Sequence, residues 1–402
     1  MLQNRNILCI ANPSWEADYS STTVELMRVL GTQNRILYVD NSYTWKDILS
    51  SFFKKKQLPY GRILGFKSRV KKVQADLAGE VILLYPPVTI PVNFLKAGII
   101  FNWLSSYNGW LVRSSIRRYL RLLRMEDQVI NIISFNPSIG LYTGKRLGES
   151  LLIYHCYDEI GAATWMKKHG PAQERQFAKL ADATIVTSQW LLETKRNIAK
   201  KVFLVKNAAN VDLFYQAFKS DVSEVKIIGF IGSIDERLDY NLLQYVISSL
   251  SQYQFVFIGR IIDKVNALRL EQFPNVKFVP PQRLIELPEY VRTFSAGIIP
   301  FVRNEFTKGI YPLKINEYLA AGLPVVTTDF SYLDEFKNVV SITSDKESFK
   351  NALIMELAQD TVEKMKLRWE HARSNSWLNR AVELSGIVTS LEKAIKYENN
   401  EC

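Results

Sequence analysis

The chain is poor in several features, and each shortage removes a class of protein. It has 402 residues and three cysteines, Cys9, Cys156 and Cys402, scattered and odd in number. That excludes a disulfide-built scaffold and points to a reducing compartment. No Cys/His spacing of the zinc type, no P-loop and no metal-holding Asp-x-Asp occurs. No run reaches about 18 apolar residues, so no transmembrane helix is expected. The opening MLQNRNILCIANPSW lacks the parts of a signal peptide and reads as a first strand. The turn after that strand carries no G-x-G-x-x-G, which leaves dinucleotide binding there unsupported. Between Glu80 and Glu126 there is no acidic residue at all.

What is present is a globular composition, 47% hydrophobic and 12% aromatic, enough for two or three cored domains. The net charge of +11 favours anionic partners: sugar nucleotides, anionic lipid or nucleic acid. No recognisable nucleic-acid-binding motif accompanies it, so no nucleic-acid partner is expected. Strand 5–11, helix 20–31 capped by Ser or Thr and stopped by Gly31, and strand 35–40 make a β-α-β opening of the doubly wound kind. Further strands are expected at 81–88, 127–135, 151–159, 183–188 and 201–207. A second series follows at 226–231, 254–260, 276–280, 296–302 and 324–329. The polar stretch 216–226 suits a surface connection. Helices close the chain at 345–357, where Ser344 and Glu347 read as a capping box, at 361–374 and at 377–396.

Residues 53–124 are the least regular part. Lys54, Lys55 and Lys56 form one basic run, and Lys67, Arg69, Lys71 and Lys72 a second. Arg113, Arg117, Arg121 and Arg124 recur at spacings that share one helical face, downstream of Phe94, Trp103 and Trp110. The stripe reads either as a surface for an anionic bilayer or as an ordinary solvated basic face.

The sharpest stretch is 303–329, RNEFTKGIYPLKINEYLAAGLPVVTTD. Pro312 suits a helix start and Gly322 a helix stop, with about three turns between them. Lys314 in the first turn is the wrong charge for a helix's positive end, which suggests that an anion arrives there. A phosphate fits. Glu317, on the same face, can accept hydrogen bonds from a sugar's hydroxyls. The plain alternative is a solvated Lys–Glu pair worth roughly 0.2–0.5 kcal/mol.

This stretch resembles the signature of GT-B glycosyltransferases of the retaining family 4 (group 1) type, such as those of bacterial cell-surface polysaccharide biosynthesis. The family's glutamate, small segment, glycine and apolar strand are matched by Glu317, residues 318–321, Gly322 and the run 323–326. The family often has a second glutamate eight residues earlier, where this chain has Gly309; Pro312, Lys314 and Glu317 match its Pro-x-Lys-x-x-Glu form. The run 171–188 and the segment NAANVDLF (207–214) are also similar to family motifs.

The resemblance implies two doubly wound Rossmann-like domains facing across a cleft. Residues 1–207 would bind acceptor, 208–376 would bind nucleotide sugar, and a terminal helix 377–402, with Trp377 near its start, would cross back. It implies transfer of a sugar from a nucleotide diphosphate sugar to a saccharide or lipid-linked acceptor, with retention and without metal or other cofactor. Gly232, Arg237, Gly309, Lys314 and Glu317 would bind the donor, with Arg237 against its pyrophosphate. For Arg237 the rival reading is a surface pair with Asp235 or Asp239. His155 would face the donor sugar, or be a packing histidine. Asp158 would orient the acceptor hydroxyl, or cap the next helix. Trp15, in the acceptor-side turn, would stack on a sugar ring, or be a partly buried structural residue. A cytoplasmic place, on the membrane's inner face, is expected. The rival functions are a nucleotide-sugar epimerase or hydrolase on the same fold, and a non-catalytic assembly subunit.

Overall fold

The computed structural model describes residues 1–17, 21–54, 58–76, 78–163, 165–218 and 226–400. Ser20, Lys55, Lys56, Cys402 and most of the 216–226 connection lie outside them. The chain divides into two compact units, Met1–Lys206 with Arg380–Cys402, and Asn207–Asn379.

The first unit is built on an eight-stranded sheet: β1 (Asn6–Ala11), β2 (Arg35–Val39), β3 (Val70–Ala75), β4 (Glu80–Leu84), β5 (Ile130–Ser134), β6 (Leu151–Cys156), β7 (Ala183–Val186) and β8 (Val202–Leu204). Their order is β3-β4-β2-β1-β5-β6-β7-β8, parallel except that β3 runs against β4. Continuous apolar runs such as Ile7-Leu8-Cys9-Ile10 are buried on both faces, as a helix-covered parallel sheet requires. The helix Thr22–Gly31 is capped by Ser21, whose Oγ accepts from Val24 N. It ends in close contact with the sheet, because a Cβ on Gly31 would lie 2.4 Å from Val81 Cγ2. The terminal helix Trp377–Asn400 begins in the second unit and continues in the first. There Ala381, Leu384, Val388 and Leu391 join the core around Ile7 and Ile36. Ser385 Oγ accepts from Leu2 N at 2.9 Å, and Glu392 pairs with Arg5.

The second unit has six parallel strands: β9 (Ile227–Ile231), β10 (Gln254–Ile258), β11 (Val276–Val279), β12 (Ala296–Ile299), β13 (Val325–Thr328) and β14 (Ser341–Thr343), in the order β11-β10-β9-β12-β13-β14. Its core is aromatic and aliphatic, centred on Phe255, Phe257, Phe294, Ile298 and Tyr318.

Several elements differ from expectation. β3 lies in the second basic run, where the sequence showed only charge. It pairs on one side only and half of it is exposed, so it carries little apolar alternation. Lys71 and Lys72 there are ion-paired with Glu16 and Glu80. The helix expected from Pro312 is Leu313–Ala320, about two turns rather than three, with Pro312 as its N-cap. Gly322, at φ +75°, turns the chain out of it. The 346–358 helix is capped by Asp345, not Ser344, and Ser348 rather than Glu347 closes the capping box. Arg124 is not on the arginine stripe: its helix is Ile99–Leu122, and Arg124 follows it at φ +51°.

Candidate donor site

The order of the second sheet reverses between β9 and β12, and the crevice at the carboxyl ends of such a pair is where doubly wound sheets take ligands. Every donor candidate lies on a segment leaving these two strands. The chain leaves β9 through Gly232, whose N–H donates to Ile258 O at 3.0 Å. Gly259, just beyond β10, is required for close approach, since a Cβ there would sit 1.9 Å from Gly232 O. The segment after β9 is then laced to the one after β12. Val302 N donates to Arg237 O, and Asp239 N to Pro300 O, both at 2.8 Å.

Arg237 is forked onto Asp235, with Nε to Oδ1 at 2.8 Å and Nη2 to Oδ2 at 2.7 Å. Its guanidinium carbon lies 5.5 Å from the centre of the Phe301 ring. Asp239, the other anticipated partner, caps the helix Tyr240–Ser249 instead. Asp235 is buried, so the guanidinium is held at the exit of β9 by a bidentate, charge-assisted contact.

Lys314 Nζ donates to Glu317 Oε2 at 2.7 Å. The pair is therefore made, but it is not the solvated one. The Glu317 side chain is 6% exposed and that of Lys314 29%. Tyr318 joins this helix to the other half of the site: its hydroxyl accepts from Ile231 N, the last residue of β9, at 2.7 Å. Burial holds that phenol far above its ordinary pKa, so it stays neutral. Gly297 in β12 makes room for the ring, because a Cβ there would be 2.5 Å from it. The Gly232 turn and the Lys314–Glu317 pair thus belong to one constellation. Gly309 is buried at the end of the short helix Glu305–Lys308, with φ −74°. Ser331 Oγ lies 2.8 and 2.9 Å from the carbonyl oxygens on either side of it, Lys308 and Ile310. Glu305 is exposed, and Gly309 brings no carboxylate. Asp235 was anticipated as a partner of Arg237, while Gly259 and Tyr318 were not singled out from the sequence. Only the glycine after an apolar strand, FVFIG, offered a signal.

The three remaining candidates lie in the first unit. His155 sits within β6, 3% exposed, with Nδ1 3.1 Å from Ser134 Oγ, which in turn lies 2.6 Å from Thr23 Oγ1. Burial pushes its pKa down to about 4, so the imidazole is neutral near pH 7. Asp158 is half-buried, and its Oδ1 accepts from Glu159 N. The 3₁₀ turn Ile160–Ala162 is capped by Glu159, not Asp158. Glu159 and Glu174 share Lys195 Nζ, each at 2.9 Å, which anchors the segment following His155. Trp15 is buried in the core, edge-on to Tyr38 with ring centres 5.1 Å apart, and the Arg28 guanidinium lies 5.3 Å from its ring centre. Of the two readings of Trp15, this placement is the structural one. Cys9 and Cys156 are buried free thiols. Among the described residues no group of three or more His, Cys, Asp or Glu side chains is arranged to hold a metal ion.

Residues 225–359, most of the second unit, match the family model described as group 1 glycosyl transferases. Over nearly its whole length the chain is similar to solved structures. Sucrose-phosphate synthase from Thermosynechococcus elongatus aligns over 97% of this chain and 100% of its own, with a TM-score of 0.68 at 14% identity. HepE of Anabaena, solved in complex with UDP and glucose, aligns over 96% and 100%, with a TM-score of 0.60. A structure described as trehalose-6-phosphate from Escherichia coli, bound with UDP-2-fluoro glucose, aligns over 96% and 99%, also at 0.60. Identities to these last two are 12% and 11%, so the likeness is one of fold. The chain has the GT-B fold, and its likeness to group 1 glycosyl transferases extends over residues 225–359. A curated relative is TuaH of Bacillus subtilis (strain 168), named for teichuronic acid biosynthesis as a glycosyltransferase. It is 27% identical over 199 residues, 44% of this chain and 50% of that protein. The chain thus spans about half the length of the curated relative it matches.

Proposed function

We propose that the chain is a glycosyltransferase moving a sugar from a nucleotide diphosphate sugar to an acceptor hydroxyl, in polysaccharide or glycolipid assembly. The observation that carries this is the joining, at the β9/β12 reversal, of a glycine turn, a fixed guanidinium and a Lys–Glu pair whose carboxylate is buried. The chemical difficulty of the reaction is charge, because the departing diphosphate becomes more negative as the glycosidic bond breaks. Positive groups set in advance where that charge develops are the strongest aid available. Arg237, held by Asp235, and Lys314, held by Glu317, supply them without a metal. The backbone around Gly232 lets the diphosphate approach closely, beside the amino end of the Leu313–Ala320 helix that follows Gly309. Glu317 accepts hydrogen bonds from the donor ribose.

His155, being neutral, contributes a hydrogen bond to the donor sugar rather than a proton. Asp158 orients the acceptor hydroxyl, which attacks from the face the diphosphate leaves, so configuration is retained. The acceptor is a saccharide or a lipid-linked saccharide, in line with the name of the Bacillus relative. Buried free thiols suit a cytoplasmic place.

Isothermal titration with a panel of nucleoside diphosphates, UDP first because two solved neighbours hold UDP or a UDP-sugar, tests donor binding. Turnover with the matching sugar nucleotide is then followed with and without acceptor, and with EDTA. Nucleotide release that needs acceptor and survives EDTA is expected. Release without acceptor would mean an epimerase or hydrolase, and failure to bind any nucleotide would mean a non-catalytic subunit.

A further inference from the structure

The helix Ile99–Leu122 presents a face to solvent that the transfer site does not use. Inward, Phe101, Val112, Ile116 and Leu120 are buried. Outward, Trp103, Tyr107 and Trp110 are 68%, 41% and 51% exposed and fall on one stripe. Their rings stack on one another in series, with centres 6.4 and 5.9 Å apart. Continued by a turn at a time, the stripe reaches Ser114, Arg117, Arg118 and Arg121, which with Leu122 line a shallow pocket of about 350 Å³. One face is therefore aromatic in its amino half and cationic in its carboxyl half. Arg113 takes no part: it donates to Tyr142 O at 2.9 Å. Arg117 is aimed by a bond to Arg146 O.

A second helix of the same unit behaves alike. In Trp45–Lys54, Ile48 and Ser51 are buried, while Trp45, Leu49 and Phe52 are 51%, 61% and 67% exposed on one face. Adjacent residues tie the two helices: Thr89 O accepts from Trp45 N at 3.0 Å, and the Asn108 amide brackets both the N–H and the carbonyl of Ile90.

We propose that these two faces together dock the first unit on an anionic lipid bilayer, with the arginine-lined pocket taking a lipid phosphate. The pattern is that of an interfacial helix, apolar aromatic surface beside cations. No helix among the described residues is long and apolar enough to cross a membrane, so the helices lie on it. A second copy of the chain is a poor occupant. It would set arginine against arginine, and Glu126, the carboxylate that follows the helix, is already paired with Arg121 at 3.3 Å. A glycan is a poor occupant too, because the stacked rings spend their faces on each other.

The test is co-sedimentation of the full chain with vesicles of phosphatidylcholine alone or mixed with phosphatidylglycerol, at low and high salt. Binding to the mixed vesicles only, weakened by salt, is expected. R117Q with R118Q, both lining the pocket, should weaken it about 25-fold, at roughly fivefold per cation near the surface. W103S with W110S should cut the quenching of the protein's fluorescence by brominated lipid down to the share left by Trp45. Soluble glycerol phosphate at millimolar concentration should not displace the protein. Each variant's melting curve, measured in parallel, reports that the first unit is folded, and failure of nucleotide binding in the parent chain would leave the vesicle result standing. Equal binding to neutral vesicles, insensitivity to both variants, displacement by glycerol phosphate, or a dimer that the tryptophan variant dissolves would each overturn the proposal.

Discussion

Lys314→Met separates the two tasks given to the lysine. The substitution keeps most of the aliphatic stem and removes the ammonium that sits 2.7 Å from Glu317. Breaking one side of a fully buried pair costs about 3–5 kcal/mol, and an exposed pair is worth about 0.2–1 kcal/mol. With the carboxylate side chain 6% exposed and the lysine 29%, the loss falls between, at about 1–3 kcal/mol. For a unit of this size each kcal/mol lowers Tm by about 2–4 °C. The second loss is in binding. A hydrogen bond to a charged group is worth about 1.5–3 kcal/mol, so Kd for the nucleoside diphosphate should rise roughly 10- to 150-fold. Kd for the nucleoside alone should move much less, while Glu317→Gln should weaken both, since the ribose is common to them. Calorimetric titration with UDP and uridine, or with whichever base binds, reads both constants, and a melting curve reads stability. Equal losses for diphosphate and nucleoside would remove Lys314 from the phosphate role. A lowered Tm with UDP binding intact would reduce it to a partner of Glu317.

Tyr318→Phe leaves the buried N–H of Ile231 without its 2.7 Å acceptor and should destabilise the second unit by about 1–3 kcal/mol in urea titration; an unchanged midpoint would mean that the phenol does not hold the helix to β9. His155 has a folded pKa of about 4 against about 6.5 when unfolded. Its contribution is therefore whole above about pH 6.5 and is lost as pH falls from there towards 4, up to about 3 kcal/mol. His155→Gln should flatten that stretch of the stability–pH curve. Parent and variant curves that stay parallel between pH 4 and 7 would show that the imidazole is not buried and neutral.

Much of the fold was legible because strands and helices announce themselves locally. Buried parallel strands are short apolar runs, and Ser188 and Gly322 punctuate the helices beside them as expected. The edge strand β3 escaped, since a strand paired on one side and half-exposed needs no apolar alternation. In the candidate site, the spacing of Lys314 and Glu317 foretold their contact but not the burial of the carboxylate. Two carboxylates, Asp235 and Asp239, were equally near Arg237 in sequence. The demand of the Tyr240–Ser249 helix for a cap divided them.

The order and spacing of residues alone were enough to determine alternating α/β units, the caps at Ser188 and Gly322, and a Lys314–Glu317 pair at a helix start. Those are properties of a chain and its next few neighbours. Tertiary structure alone decided that Tyr318 would anchor to Ile231, 87 residues away. It alone placed Trp15 inside the core, and set the aromatic and arginine residues of Ile99–Leu122 on an open face. Burial and partnership are settled by whatever packs against a side chain, and that neighbour comes from elsewhere in the chain.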